Sequence, residues 1–357
     1  MKYKLNYKDD EKVVVSDMID LIEKIKKEKS KIDQNPKKWS VIKKIINEYE
    51  YIYTSPNPHK NIADIYPYSR SYFKMKEIIN NFSIIKENNN IFCIAEAPGG
   101  FIQCLLEYNV NIDATSLLSN NTKIPYWNKK LMNENPINEK INFNYGIKNN
   151  GDICDTTNLL SLIKGKNNYY DIITADGGFD YSTDYNSQEK DSLKLIYSEI
   201  FLAINTQKIG GSFVCKIFDI FLKETIYLVY ILSLLYENIY FHKPCMSRMS
   251  NSEKYLICTG YKGYNKNIIN ILFRGLVDKI EYKCPNDFLN SIHKFNEYYL
   301  EKQISKINEG SRLFNKSLKI YPTNEQIEMT LKWCKDNNVR VNKNCYYLNP
   351  TRTNQPL

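Results

Sequence analysis

Three observations predict an α/β fold, a doubly wound and mostly parallel sheet with helical extensions at both ends. Residues 91–101, IFCIAEAPGGF, run from an apolar stretch through an acid and a Pro-Gly-Gly turn into a second apolar stretch. Downstream, strand-like apolar runs alternate with helical ones, which implies parallel strands with a ligand at their C-terminal ends. A hydrophobic content of 43% over 357 residues supplies a large core and excludes wholesale disorder.

Taken in order, residues 1–50 have helical periodicity, with Val14, Met18, Leu21, Ile22 and Ile25 on one face. The other face is rich in lysine, from Lys24 through Lys31 and again at Lys37, Lys38, Lys43 and Lys44. It reads as a solvated helix surface; the alternative is a phosphate-tracking groove interleaved with Trp39, Tyr49 and Tyr51. Residues 53–69 hold three prolines and form a linker or binding loop. A helix over 69–82 leads into the strand at 91–95, and a helix over 101–106 follows the turn. Strands are expected at 111–117 and 141–145, and Asp155 caps a helix over 156–164. Residues 170–175, YDIITA, form a strand ending at Asp176-Gly177-Gly178. Asn186 with Glu189 makes a capping-box-like start for a helix to Lys208, which Gly210-Gly211 stops ahead of the strand SFVCKIF. A helix over 223–236 precedes strands at 238–242 and 254–259; only a loop separates these two, so they form an antiparallel edge hairpin. From about residue 265 the pattern is helical and reads as a lid, a packing brace or a partner site. The expected parts are a helical extension with its loop (1–64), a core (65–263) and a helical extension (264–357).

The net charge of +9 fits a polyanionic partner without requiring one. Nine cysteines without a CxxC pair point to free thiols and a reducing compartment, and away from a zinc site. The start, MKYKLNYKDDEK, is charged throughout, and the longest apolar run, 226–235, is too short to span a bilayer. A soluble intracellular protein is expected, cytoplasmic with the nucleus left open.

A strand, a glycine turn and a helix are how an open sheet builds a nucleotide pocket. Glycines let the backbone approach the ligand, the helix start offers free N–H groups, and an acid such as Glu96 can accept from a ribose hydroxyl. Four ionisable residues stand out around this turn: Lys74, Asp176, Lys216 and Glu253. A lysine inside an apolar strand such as SFVCKIF needs a partner acid, and Asp176 at the end of a neighbouring strand is the natural one. Each residue alone reads as a surface charge or a structural ion pair, but the topology gathers all four at one end of the sheet.

The set SRSYFKMKEI, EAPGGF, GDICD, TADGGFDY, GGSFVCKIF and SRMSNSEKYLIC resembles, in order and spacing over roughly residues 65–262, the FtsJ-like (RrmJ-type) RNA 2′-O-methyltransferases. The EAPG turn and the ADG-x-FD strand end are most similar to the Adrift-type cap-specific mRNA enzymes and their relatives in large DNA viruses. The resemblance implies a Rossmann-like methyltransferase fold, S-adenosyl-L-methionine as methyl donor and no metal. It also implies RNA, a capped mRNA 5′ end, as partner, alongside other capping or transcription proteins and without a membrane. Residue by residue, it implies that Lys74, Asp176, Lys216 and Glu253 form the catalytic tetrad, with Lys216 as general base. It places Glu96, Ala97, Pro98, Gly99, Gly100, Phe101 and Asp176 at the cofactor, and Asp152 of GDICD on its adenine side. Lys76 rivals Lys74, though Tyr-Phe-Lys-Met fits the family register better. Cys93 stands where many relatives carry an acid.

These residue types suit methyl transfer, in which the 2′ oxygen attacks the methyl carbon in line and loses one proton. A neutral lysine can take that proton if burial or a like charge lowers its pKa, and only RNA has the 2′ hydroxyl. Tyr66, Tyr68, Tyr181 and Trp127 are candidates to stack on bases or a cap guanine, with core packing as the other reading. Two alternatives stay open: an internal-site RNA 2′-O-methyltransferase, and a non-catalytic RNA-binding subunit on the same fold. A dehydrogenase is disfavoured, because the turn lacks G-x-G-x-x-G spacing.

Overall fold

The computed structural model describes residues 1–5, 18–33, 35–133, 140–178, 187–277, 283–318 and 320–348. In chain order the elements are β1 (Lys2–Lys4), α1 (Met18–Asp33), α2 (Pro36–Ile45), α3 (Ser71–Phe82), β2 (Asn90–Ile94), α4 (Gly100–Leu105) and β3 (Asn111–Thr115). There follow α5 (Lys129–Asn133), β4 (Ile141–Phe143), α6 (Thr156–Ile163), β5 (Tyr170–Ala175), α7 (Gln188–Thr206), β6 (Gln207–Ile217) and α8 (Lys223–Leu235). The chain continues through β7 (Tyr236–His242), β8 (Lys254–Tyr261), α9 (Lys266–Val277), α10 (Asn286–Ser311) and α11 (Asn324–Asp336).

The eight strands form one sheet in the order β1-β7-β8-β6-β5-β2-β3-β4. The five strands from β6 to β4 run parallel, while β8, β7 and β1 are antiparallel to their neighbours. Alternate strand residues feed opposite faces. Phe92, Ile94, Ile173 and Phe213 pack under α6, α7 and α8, whereas Ile91, Cys93, Ile172 and Val214 pack under α3 and α4. This is the doubly wound architecture expected.

The C-terminal helices act as a brace. Phe288, Ile292 and Phe295 of α10 join the first of these cores, and Leu300 and Ile307 meet Leu21 and Ile25 of α1 and Ile42 of α2. Trp333 of α11 joins the other face and donates to the buried Glu77 at 2.9 Å. The proline-rich segment is pinned from the same side: His59 stacks on Tyr346, and Ala63 pairs with Val341.

Several expectations change. The N-terminal extension is not wholly helical, since Lys2–Lys4 adds a strand beside β7; three residues carry too little alternation to declare it. The antiparallel pair β7–β8 is therefore not a free edge, because β8 lies inside the sheet and β1 covers β7. Gly210 and Gly211 do not stop the long helix. It ends at Thr206, and the glycines lie within β6, where a Cβ on Gly211 would stand 2.8 Å from the Asp171 carbonyl. Trp39 and Tyr51 are buried core residues, so they do not interleave with the lysine face. Val14, Tyr181 and Asn186 lie outside the described residues. Among the described residues, no helix is long and apolar enough to cross a membrane. The cysteines are free thiols, most of them buried.

A buried carboxylate fastens the N-terminal extension to the segment ahead of β8. Glu50, wholly inaccessible, accepts from Arg248 Nε at 3.0 Å and Nη2 at 2.8 Å, lies 3.4 Å from Arg70, and accepts from Asn47 at 2.9 Å. Burial alone would raise its pKa, but Arg70 and Arg248 outweigh burial and hold it below the ordinary value. Its stabilisation is therefore present above about pH 4.3 and is lost as pH falls through the depressed native value. Glu50→Ala, which leaves two partly buried guanidiniums without their acceptor, is expected to cost about 3–5 kcal/mol in urea denaturation at pH 7. Glu50→Gln should in addition flatten the acid limb of the stability curve.

Candidate active site

The strand β2 delivers the glycine turn. Ala95 turns the chain with φ 53°, and Gly99 adopts φ 106°, a value that favours glycine. Gly100 has no room for a side chain, since a Cβ would stand 2.2 Å from the hydroxyls of Ser69 and Ser71. Glu96 is buried at 2% exposure; its carbonyl accepts from Gly99 N and its Oε1 from Phe101 N, each at 2.8 Å. The acid thus consumes an amide that the helix start was expected to offer a ligand. Its Oε2 is buried with no hydrogen-bond partner among the described residues. Burial first, then the Asp176 carboxylate, pushes the Glu96 pKa far up, and a cation or hydroxyl donor placed beside this atom would offset that burial. A ligand bearing an ammonium or hydroxyl group would suit such an atom.

The neighbouring strand ends close around the turn. Ala97 N donates to Ser116 Oγ at 3.3 Å, and the Ser116 carbonyl would stand 1.9 Å from a Cβ on Gly151. Asp152 follows, half-exposed, with Oδ1 accepting from Cys154 N at 2.9 Å. The Pro98 carbonyl accepts from Asn128 N at 3.1 Å. Phe101 contributes an amide to Glu96, while its ring is wholly buried against Tyr255. Trp127 is buried against Phe143 as a core residue, whereas Tyr66 is 59% exposed.

The structure brings Lys74, Asp176, Lys216 and Glu253 together as two ion pairs. Lys74 of α3 lies 2.7 Å from Glu253. Lys216 of β6 lies 3.3 Å from Asp176 Oδ1 and donates to the Asp176 carbonyl at 2.6 Å. Parallel pairing of β5 and β6 brings the last residues of both to one end. Lys76 points elsewhere, pairing with Glu107 at 2.6 Å. Two residues apart, the two lysines are separated by about 200° around the helix and so lie on different faces of α3.

Three further residues complete the cluster. Tyr255, opposite Lys216 in the β6–β8 register, donates to Asp176 Oδ1 at 2.7 Å, and Lys74 lies 5.8 Å above its ring. Glu199 of α7 is fully buried beneath Gly177 and Cys215, and burial, with Asp176 adding to it against the pull of Lys216, pushes its pKa up to about 8. Lys243 is buried and donates to the carbonyls of Asn251 at 2.8 Å and Glu253 at 2.5 Å. Signals for two of them were present: an acid within the apolar helical run SEIFLAI, and a lysine closing the strand YENIYFH. Tyr255 looked like any strand aromatic.

The electrostatics follow from this enclosure. Burial works to lower the Lys216 pKa, but Asp176, Glu253 and Glu199 outweigh it and raise the value, so the free protein holds this amine charged. Burial would raise the Glu253 pKa, yet Lys74, Lys216 and Lys243 hold it far below the usual carboxylate range. Lys243 is pushed well down by burial.

The model of the FtsJ-like methyltransferase family matches residues 67–261, the segment from α3 to β8 that carries the whole cluster. The chain belongs to this family. Among relatives, this FtsJ-like methyltransferase is 31% identical over 174 residues to a cap-specific mRNA (nucleoside-2′-O-)-methyltransferase 1A of Caenorhabditis briggsae, covering 44% of this chain and 20% of that protein. It is 26% identical over 275 residues to the corresponding methyltransferase 2 of Danio rerio, covering 69% of this chain and 37% of that protein. It is also 29% identical over 174 residues to a C. briggsae methyltransferase 1B named as inactive, covering 44% and 21%. The chain thus spans 20 to 37% of the length of these relatives.

Nitrogen-15 NMR of the lysine amines gives a direct reading of the cluster. The Lys216 Nζ signal should stay protonated past the ordinary lysine value of about 10.4. Asp176→Asn, which removes the strongest opposite charge, should move that titration downward.

Proposed function

We propose that this methyltransferase acts on the ribose 2′ oxygen of capped mRNA, with S-adenosylmethionine as methyl donor. The paired tetrad supports the reading most strongly: two lysines and two carboxylates, nearly dry, at the strand ends beside a turn with an unsatisfied Glu96 oxygen. The names of the relatives favour the cap over an internal site. One of them is named inactive, so likeness alone does not carry catalysis, whereas an intact charge cluster argues against a non-catalytic subunit.

The Glu96–Gly100 turn and Asp152 would hold the donor, which would supply a methyl group on a positively charged sulfur. The chain supplies alignment and the proton acceptor. Lys216 receives the 2′ proton on its neutral amine, and Asp176, fixed by Tyr255, holds that amine in place. Lys74, fixed by Glu253, sets a second positive charge beside the oxygen that becomes nucleophilic. Because the free protein holds Lys216 protonated, the amine gives up one proton before it can act. Covering of the site by RNA strengthens the burial that already favours that loss.

Lys216→Ala should lower methyl transfer to a short capped RNA at least about 100-fold and leave S-adenosylmethionine affinity within a few-fold, read by calorimetry. Lys74→Met should act likewise, and Lys76→Met should retain near-normal turnover. Retained activity in Lys216→Ala would remove the base assignment. An uncapped RNA methylated as fast as a capped one would favour the internal-site reading.

The sign of the pH dependence is also fixed. With the base protonated in the free enzyme and its pKa raised, kcat/KM for RNA should climb about tenfold per pH unit from 7 towards 10. A plateau already reached by pH 7 would contradict a base held protonated in the free enzyme.

A further inference from the structure

A cleft of about 220 Å³ opens between the end of α2, the segment 243–250 ahead of Glu253, and α10. Five basic side chains line it, Lys43, Lys243, Arg248, Lys302 and Lys306, against a single carboxylate, Glu48. Lys243 is buried with its pKa pushed well down, and two of the remaining charges are already neutralised: Lys306 by Glu48 at 2.8 Å, and Arg248 by Glu50. Lys43 is not. It is half-buried, and its amine makes no ion pair or hydrogen bond among the described residues. The nearby carboxylate, Glu50, is already engaged by both arginines. Burial first, then the like charge of Arg248, pushes its pKa down against the pull of Glu50, with Lys44 and Arg70 adding to the fall. Lys302 stands exposed at the rim. A metal cation is disfavoured in such a lining and an anion is favoured.

The cleft also adjoins the reacting end of the sheet. Lys243 lines it and donates to the carbonyl of Glu253, whose carboxylate holds Lys74. Lys243 thus belongs to the wall of the cleft and also touches the backbone of a tetrad residue.

We propose that this cleft binds a phosphate of the RNA substrate, with Lys43 and Lys302 as its charge partners. The proposal rests on the reading of RNA as substrate and adds a phosphate subsite beside the ribose site. Two sources carry the same chemistry: the 5′–5′ triphosphate of a cap, and a phosphodiester of the chain.

The test is fluorescence anisotropy of the full chain with a 3′-labelled RNA of one sequence, ending either in a cap or in a 5′ hydroxyl, across a salt series. Lys43→Ala should weaken binding about tenfold and reduce the slope of log K against log salt by about 0.7–1. Lys43→Arg should restore both, and thermal unfolding should be unchanged. A loss confined to capped RNA assigns the cleft to the triphosphate; an equal loss on both RNAs assigns it to a phosphodiester. Unchanged affinity and slope on both overturns the proposal. Binding is read without turnover, so RNA held through Lys43 by a protein that transfers no methyl group refutes the catalytic reading alone. Normal methylation with KM for RNA unchanged in Lys43→Ala refutes the phosphate subsite alone.

Discussion

The pairing of Lys216 with Asp176 and of Lys74 with Glu253 is the constraint on which the rest of the molecule depends. Ionised groups taken out of water cost several kcal/mol each, and an isolated one is neutralised rather than kept. The fold supplies each of the four with an opposite partner, Lys74 with Glu253 and Lys216 with Asp176. Parallel pairing of β5 with β6 places one pair, and the antiparallel return of β8 brings Glu253 to meet α3 and Tyr255 to meet Asp176. The glycine turn belongs to the same enclosure, since Glu96 feels the charge of Asp176.

The extensions act on this cluster through the start of β8. Alternation sends Glu253 and Tyr255 to the reactive side and Lys254 to the other. There Lys254 lies buried, 3.8 Å from Asp219, and Lys29 of α1 approaches the same carboxylate at 3.3 Å. Burial of Lys254 outweighs the pull of Asp219 and lowers its pKa to about 8. The segment just ahead of β8 is held by the Glu50–Arg248 pair and by Lys243. Helices outside the family segment thus contribute to the rigidity that aligned transfer requires.

The parts of this design that were legible in sequence share a physical reason. A lysine in SFVCKIF cannot be buried alone, so its partner acid could be named, and a glycine turn between a strand and a helix announces a pocket. Strand positions followed apolar runs bounded by turn residues, as in YDIITA. What was hidden depends on contacts between distant segments. The pairing of Lys2–Lys4 with β7 and the burial of Trp39 and Tyr51 come from tertiary packing that no local pattern records. The role of Tyr255 comes from register, and that of Glu50 from two arginines distant in sequence. The choice of Lys74 over Lys76 was suggested by register, and the salt-bridge partners of the two lysines now separate them.

The most direct test of the central claim is the position of the transferred methyl group. The full chain is incubated with S-adenosylmethionine bearing a labelled methyl and a defined capped transcript, and the nuclease digest is read by mass spectrometry. The account predicts label on a ribose 2′ oxygen next to the cap. Label on a base, or none with the protein folded and the donor bound, would contradict it.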